Sequence, residues 1–307
     1  MIDKKNLLIG GGILLGLYLL NPFSGSHRGA ADDTEFNYQS DTLKIVNFVG
    51  RVEMTTSSDG QIHIQASRIA AGLTPNFDHI AGKLEISGNE KITNISCNTS
   101  SLLSWAKGDD SDLNITINGG SSRKLSEFPT LQIQAPATVN LILEKNLIFG
   151  QFSQTDQLTV GMLSCGNLNF DQVKNDARID IKGGGDIDIK SVGGSANSSI
   201  RGSGDIHIGS IAQDSVSQIS GSGNISYDDI TGIHKMSIRG SGDIDVSQIT
   251  GDAEISIRGS GDVDIDDGDL NWLIATIQGS GDIDYGGTAT NRRFVVRGSG
   301  EINTKYD

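Results

Sequence analysis

Proline is scarce in this chain, at 4 of 307 residues, so neither a collagen repeat nor a proline-rich disordered tract fits. Cysteine is scarcer still. Two cysteines cannot build a disulfide framework or supply a four-ligand zinc site. Aromatic residues make up 5% of the chain, which argues against an aromatic-lined cofactor pocket. Positive charge is outnumbered, with 24 Lys+Arg against 38 Asp+Glu and a net charge of −14. Nucleic acid and anionic lipid both repel a polyanion, so charge recruits neither as a partner. His27, His63, His79, His207 and His234 show no metal-ligand spacing, and no nucleophile elbow, phosphate loop or zinc signature occurs. The residues therefore nominate no catalytic, cofactor-binding or metal site, and no cofactor. Glycine, in contrast, is abundant: 40 of 307, against the usual ~7%.

The N-terminus reads as a targeting segment. Lys4 and Lys5 precede an apolar run from Leu7 to Leu20, which Asn21-Pro22 ends. A positive flank and an apolar stretch of this length fit a secretory h-region of roughly 7–15 residues. The run is short for a membrane span, which needs ~20 apolar residues. Residues 1–25 are thus expected to form a short apolar helix, either a cleaved signal peptide or an uncleaved membrane anchor. Residues 26–44 follow as a polar tether. Both readings leave the lysines cytoplasmic and export the rest.

A repeat dominates the second half. The unit Gly-x-Gly, then an acidic residue or Asn, then an aliphatic one, appears at Gly183, Gly202, Gly221, Gly240, Gly259, Gly279 and Gly298, with spacings of 19, 19, 19, 19, 20 and 19. Ser164-Cys165-Gly166-Asn167 is a degenerate copy in register. A period near twenty means a solenoid or array. Within one unit, Ala253, Ile255, Ile257, Val263 and Ile265 alternate with polar residues on both sides of the glycines. That is strand periodicity. Gly-Ser-Gly reads as a tight corner, and Thr250-Gly251 and Thr231-Gly232 as a second one. A coil this short cannot bury its own apolar face, so stacking must close the core. A propeller blade needs about 40–50 residues, which excludes that architecture. The expected fold is all-β: a single-stranded parallel β-solenoid (β-helix) with ~19-residue coils, right-handed by the crossover preference of parallel strands.

Stacking the coils stacks their charges. Asp186, Asp205, Asn224, Asp243, Asp262, Asp282 and Glu301 form one column, and Lys182, Arg201, Arg239, Arg258 and Arg297 a basic column beside it. Compensation between the two columns is the expected role of both. Asp188, Asp245, Asp264 and Asp284 form a second acidic column on an outer face.

Residues 45–163 speak the same language less regularly. Val52-Glu-Met54, Gln61-Ile-His-Ile64, Lys83-Leu-Glu-Ile86 and Leu131-Gln-Ile-Gln-Ala135 alternate as strands, and Asp59-Gly60 is expected to turn a hairpin. Residues 99–128, with Trp105, read as a polar excursion. No composition break separates this part from 164–303, so 45–163 is expected to cap one continuous solenoid. At the other end Arg292, Arg293, Lys305 and Asp307 either keep the edge of the last coil soluble or leave it open to self-association.

The reiterated Gly-Ser-Gly-Asp-Ile-Asp units, with Leu131-Gln-Ile-Gln-Ala-Pro136 before them, resemble the head GIN domain family of putative auto-transporter adhesins. The resemblance runs over roughly 45–303. It implies a bacterial envelope protein with a β-solenoid fold and carries no catalytic residues.

Calcium is the sharpest ligand candidate, and it fits poorly. Asp243 directly follows Gly242, and Ile244 fills the place where a calcium-binding nonapeptide needs its Asp. Asp262-Val-Asp-Ile-Asp266-Asp-Gly-Asp269 has its glycine one place late for an EF-hand, and Leu273 stands where Glu should be. A polysaccharide-acting β-helix enzyme would need side chains that break the repeat, and the candidates are the 20-residue coil around Asp266–Trp272 and the Trp105 excursion. Cys97 and Cys165 either form one disulfide after export or stand as two separate small residues. The function expected is therefore non-enzymatic: an exported adhesin or interaction scaffold of the cell envelope, meeting a protein or glycan partner and touching membrane only through its N-terminal segment. The alternatives are a protein that self-assembles end to end, or the polysaccharide enzyme.

Overall fold

Stacked 19-residue coils build the molecule, and one register shows how. Ile225 pairs with Ile244 and Ile244 with Val263, each in parallel and each one repeat apart. The computed structural model describes residues 34–67, 73–88, 91–99 and 113–305. The expected apolar helix within 1–25, and Trp105, lie outside the described residues. Among the described residues the secondary structure is all strand apart from one 3-10 turn, Leu125–Glu127.

Two runs of strand make each coil. In Ile225–Gly240 the inward side chains are Ile225, Tyr227, Ile230, His234, Met236 and Ile238, all buried, and the residues between them face out, polar or glycine except for the exposed Ile233. The parallel ladder skips Asp228, where the coil bends. Neighbouring coils repeat this pattern, so aliphatic columns run the length of the stack as one core from Leu43 to Tyr285. The whole core lies within Asp32–Asp307, a compact unit that carries its own hydrophobic interior.

The corners explain the glycine count. Gly240 has φ +145°, and a Cβ there would lie 2.1 Å from the Gly221 carbonyl oxygen of the coil below. Gly242 lacks the unusual φ but has the same crowding, 2.0 Å from the Gly223 oxygen. Close coil-to-coil approach at the corner therefore excludes any side chain. The 20-residue coil carries its extra residue as a bulge: Gly251 and Asp252 pair with Leu270 and Trp272, which leaves Asn271 out of register.

The N-terminal edge is closed differently. Thr130–Ala135 lies parallel to Val49–Thr56, then Ile62–Ser67 adds antiparallel, and Thr34–Tyr38 adds antiparallel to that. The Asp59-Gly60 turn exists, with φ +76° at Gly60 and the Gln61 N–H donating to Asp59 Oδ1 at 3.0 Å. It does not make a hairpin. Thr130–Ala135 inserts between the two flanking strands and pairs with both. Turn chemistry fixed the reversal, while the alternating Leu131, Ile133 and Ala135, all buried, fixed the neighbours.

Residues 91–128 add a separate three-stranded antiparallel sheet of Ile95–Thr99, Leu113–Ile117 and Arg123–Lys124. A second apolar cluster joins this insert to the outer side of the first coils, with Ile92, Ile115, Leu125 and Phe128 against Val49 and Leu147. Cys97 and Cys165 are disulfide-bonded, with Cα atoms 6.4 Å apart, and tie the insert to a solenoid corner.

Candidate functional site

The acidic column at the Gly-Ser-Gly corner is structural. Each aspartate reaches to the next coil and accepts the backbone N–H of its own equivalent. Asn224 N–H donates to Asp205 Oδ1 at 2.9 Å, Asp243 N–H to Asn224 Oδ1 at 3.1 Å and Asp262 N–H to Asp243 Oδ1 at 2.8 Å. Asp282 and Glu301 continue the ladder at 2.7 Å each. The motif needs a short side chain with an acceptor oxygen, which Asp and Asn both supply. The basic neighbours do not neutralise this column as expected. Arg201 pairs with Asp180 at 2.6 Å and Lys182 with Asp180 at 3.9 Å, a residue on a different strand position. The acidic column is held by backbone N–H donors instead, and repulsion between its members persists. Burial and the Asp205 carboxylate both push the pKa of Asp186 up.

The second acidic column faces solvent. Asp188, His207, Ser226, Asp245, Asp264, Asp284 and Asn303 stand in register on successive coils. Partial burial, then the neighbouring carboxylates, raise the pKa of both Asp245 and Asp264. Asn303 Nδ2 donates to Asp284 Oδ1 at 2.9 Å, and His207 Nδ1 lies 3.0 Å from Ser226 Oγ. In the stretch Asp262–Asp269, Asp264, Asp266, Asp267 and Asp269 all lie exposed on the outer side of the strand Val263–Gly279, spread along extended backbone where a calcium loop would wrap its ligands around one point. Among the described residues no three His, Cys, Asp or Glu side chains are grouped to hold a metal.

Sequence reasoning missed a buried polar run. Ser215 Oγ lies 2.9 Å from His234 Nδ1, and Ser217 Oγ lies 2.7 Å from Tyr227 Oη, all inside the coils. His234 is fully buried in a column whose nearest members are Ala177, Ala196, Ser215 and Ala253, with Leu158 and Leu273 beyond them. Burial holds its pKa below the usual value of 6.5. The Ser–His contact resembles a nucleophile and its base, but with both groups sealed in the core no substrate reaches them.

A cleft between the insert and the solenoid was also missed. It holds about 330 Å³. Val49, Leu73, Ile92, Ile115, Ile117 and Phe128 supply its apolar walls, and Arg123 is the charged residue on its lining. Trp272, the repeat-breaking aromatic, lies elsewhere. It is 46% exposed, in register with Ile233 and Asn291, and its backbone N–H donates to Asp252 Oδ1 at 3.1 Å.

Coil length, parallel register and the corner glycines define the chain as a parallel β-solenoid built from Gly-Ser-Gly-Asp units. Residues 225–306 match the family model described as putative auto-transporter adhesin, head GIN domain. The resemblance to that family is thereby shown on the last regular coils. Solved structures similar to this chain include a putative adhesin from Bacteroides fragilis, 18% identical, with a TM-score of 0.41 over 90% of this chain and 98% of that one. A putative lipid binding protein from Parabacteroides distasonis is 16% identical, with a TM-score of 0.46 over 90% and 98%. No curated protein sequence matches the chain.

Proposed function

We propose that this chain is an exported, non-enzymatic contact scaffold of the bacterial cell envelope, adhering to a protein or glycan partner through its stacked outer faces. One observation carries the reading. The outward positions of the regular coils repeat a few polar side chains, and the acceptors that look reactive in sequence are committed to the backbone of the next coil. Such a surface offers many equivalent weak contacts, which suits multivalent adhesion better than a single catalytic constellation. The match of residues 225–306 to an adhesin family model supports it. The Cys97–Cys165 bond supports export, because disulfides persist in oxidising compartments. The N-terminal apolar run supplies the only membrane contact in this reading.

The test is retention of beads coated with residues 32–307 on immobilised envelope glycans and envelope proteins. Serine at Asp245, Asp264 and Asp284 together should reduce retention severalfold with the fold intact. Retention no better than that of albumin-coated beads would overturn the proposal, as would release of sugar from any of the glycans.

One observation favours a second reading, end-to-end self-assembly. Phe294 and Val296 continue the core columns of Ala275 and Ile277, yet they are 37% and 43% exposed. Sedimentation of Asp32–Asp307 that depends on concentration, and is abolished by Phe294→Lys, would support it.

A further inference from the structure

We propose that the cleft between the antiparallel insert and the solenoid binds a small anionic amphiphile, a free carboxylate on a medium-length alkyl chain. This goes beyond the adhesive reading and stands independently of it. The walls come from two separate parts of the fold. Val49 and Phe48 belong to the solenoid flank, and Ile92, Ile115, Ile117 and Phe128 to the insert. The disulfide and the apolar cluster hold these parts in place. The cleft between these joined pieces is lined about equally by polar and apolar surface, which suits a ligand with one polar and one apolar end.

Charge selects the sign of the ligand. The chain carries −14 overall, yet the charged residue lining this cleft is Arg123. Arg123 is exposed and has no carboxylate partner among the described residues. Its neighbour Glu127 is already engaged, accepting the Lys124 backbone N–H at 3.1 Å. A free guanidinium beside an apolar cavity suits a carboxylate, which it can grip through two parallel hydrogen bonds. Asn47, Ser121 and the backbone near Gly120 complete the polar side.

Volume selects the size. A cleft of about 330 Å³ lies at the small end of the roughly 300–1,000 Å³ range of small-molecule sites. Octanoate, with eight carbons and two oxygens, fits that size, and a two-chain lipid does not.

The test titrates octanoate, and octanol as its neutral counterpart, into Asp32–Asp307, read by calorimetry and by chemical shifts of the ligand. Saturable octanoate binding is expected with a Kd of roughly 0.1–1 mM. Arg123→Gln, at an exposed site, should weaken octanoate about tenfold and octanol less than about twofold. Ile117→Trp, on a half-buried wall, should fill the cleft and abolish both. Melting temperatures close to wild type identify these as losses of binding, not of fold. Absence of saturable binding by about 10 mM would overturn the proposal. So would equal weakening of both ligands by Arg123→Gln, or binding that survives Ile117→Trp in a folded protein.

Discussion

Replacing Asp243 by Ala and, separately, by Asn divides the two things a carboxylate does in the corner column. Asp243 Oδ1 accepts the Asp262 backbone N–H at 2.8 Å, and its charge sits one coil from Asp262. Alanine removes the acceptor and the charge together. The orphaned N–H is partly buried, so its loss costs about 1–2 kcal/mol, near the low end for an unsatisfied donor. Relief of like-charge repulsion returns a few tenths of a kcal/mol. Asparagine keeps the acceptor and removes only the charge, as Asn224 already does naturally when it caps Asp243 at 3.1 Å. Asp243→Asn should therefore be neutral or slightly stabilising. For a chain of this size 1 kcal/mol moves the melting temperature by roughly 2–4 °C, so Asp243→Ala should lower it by about 2–6 °C. Thermal unfolding followed by far-UV circular dichroism reads both variants. If Asn is as harmful as Ala, the charge and not the hydrogen bond is what the column uses. If neither has any effect, the capping argument is wrong.

Three further outcomes follow from the geometry. Gly240→Ala forces a Cβ to 2.1 Å from the Gly221 oxygen at φ +145°, and should cost about 3–5 kcal/mol in denaturant unfolding. Cys97→Ser with Cys165→Ser opens a loop with a sequence separation of 68, and should lower stability by up to about 4 kcal/mol, with faster proteolysis of the insert than of the coils. The pH dependence has two opposed parts. His234 has a lowered pKa, so the unfolded chain takes up its proton first, and its contribution is present above about pH 6.5 and is lost as pH falls toward the folded value. Asp186, Asp245 and Asp264 have raised values, so their contribution is greatest below the ordinary 3.8 and is lost as pH rises through their folded pKa. Denaturant midpoints at about pH 7.5 and 5.5 should differ less in His234→Ala than in wild type, whatever cavity the substitution leaves.

The regular coils were legible because one constraint repeats. Every nineteenth residue meets the same neighbours, so Gly240, Asp243 and Ile244 each report the geometry of a whole column. What an isolated unit could not reveal was the partner of a polar group. The acidic column invited pairing with the adjacent arginines, whereas the nearer partner is a backbone N–H in the next coil, which carries no side-chain signature. The hairpin at Asp59-Gly60 failed for a related reason. A turn sets the direction of the chain, but the strand that fills the gap comes from Thr130–Ala135, far away in sequence. The cleft did leave a trace. Phe48-Val49 and Leu147-Ile148 are consecutive buried apolar residues where alternation predicts one facing out. Doubled apolar positions on a strand mean that both of its faces are covered. Val49 and Leu147 belong to the insert's cluster, Phe48 and Ile148 to the coil core. Buried His234 left a trace in position alone: it stands one repeat before Ala253 and in step with inward Met236 and Ile238, although the residue type itself gives no sign of facing in.

Export is the claim on which the scaffold reading stands, and the redox state of two residues in the living cell tests it most directly. Thiols are blocked in intact cells, the cells are fractionated, and the mass of the chain is read in each fraction. The account predicts a chain in the envelope fraction or the medium with Cys97 and Cys165 unmodified because they are bonded to each other. A chain in the cytosol carrying two blocked thiols would contradict export, and the adhesive function with it.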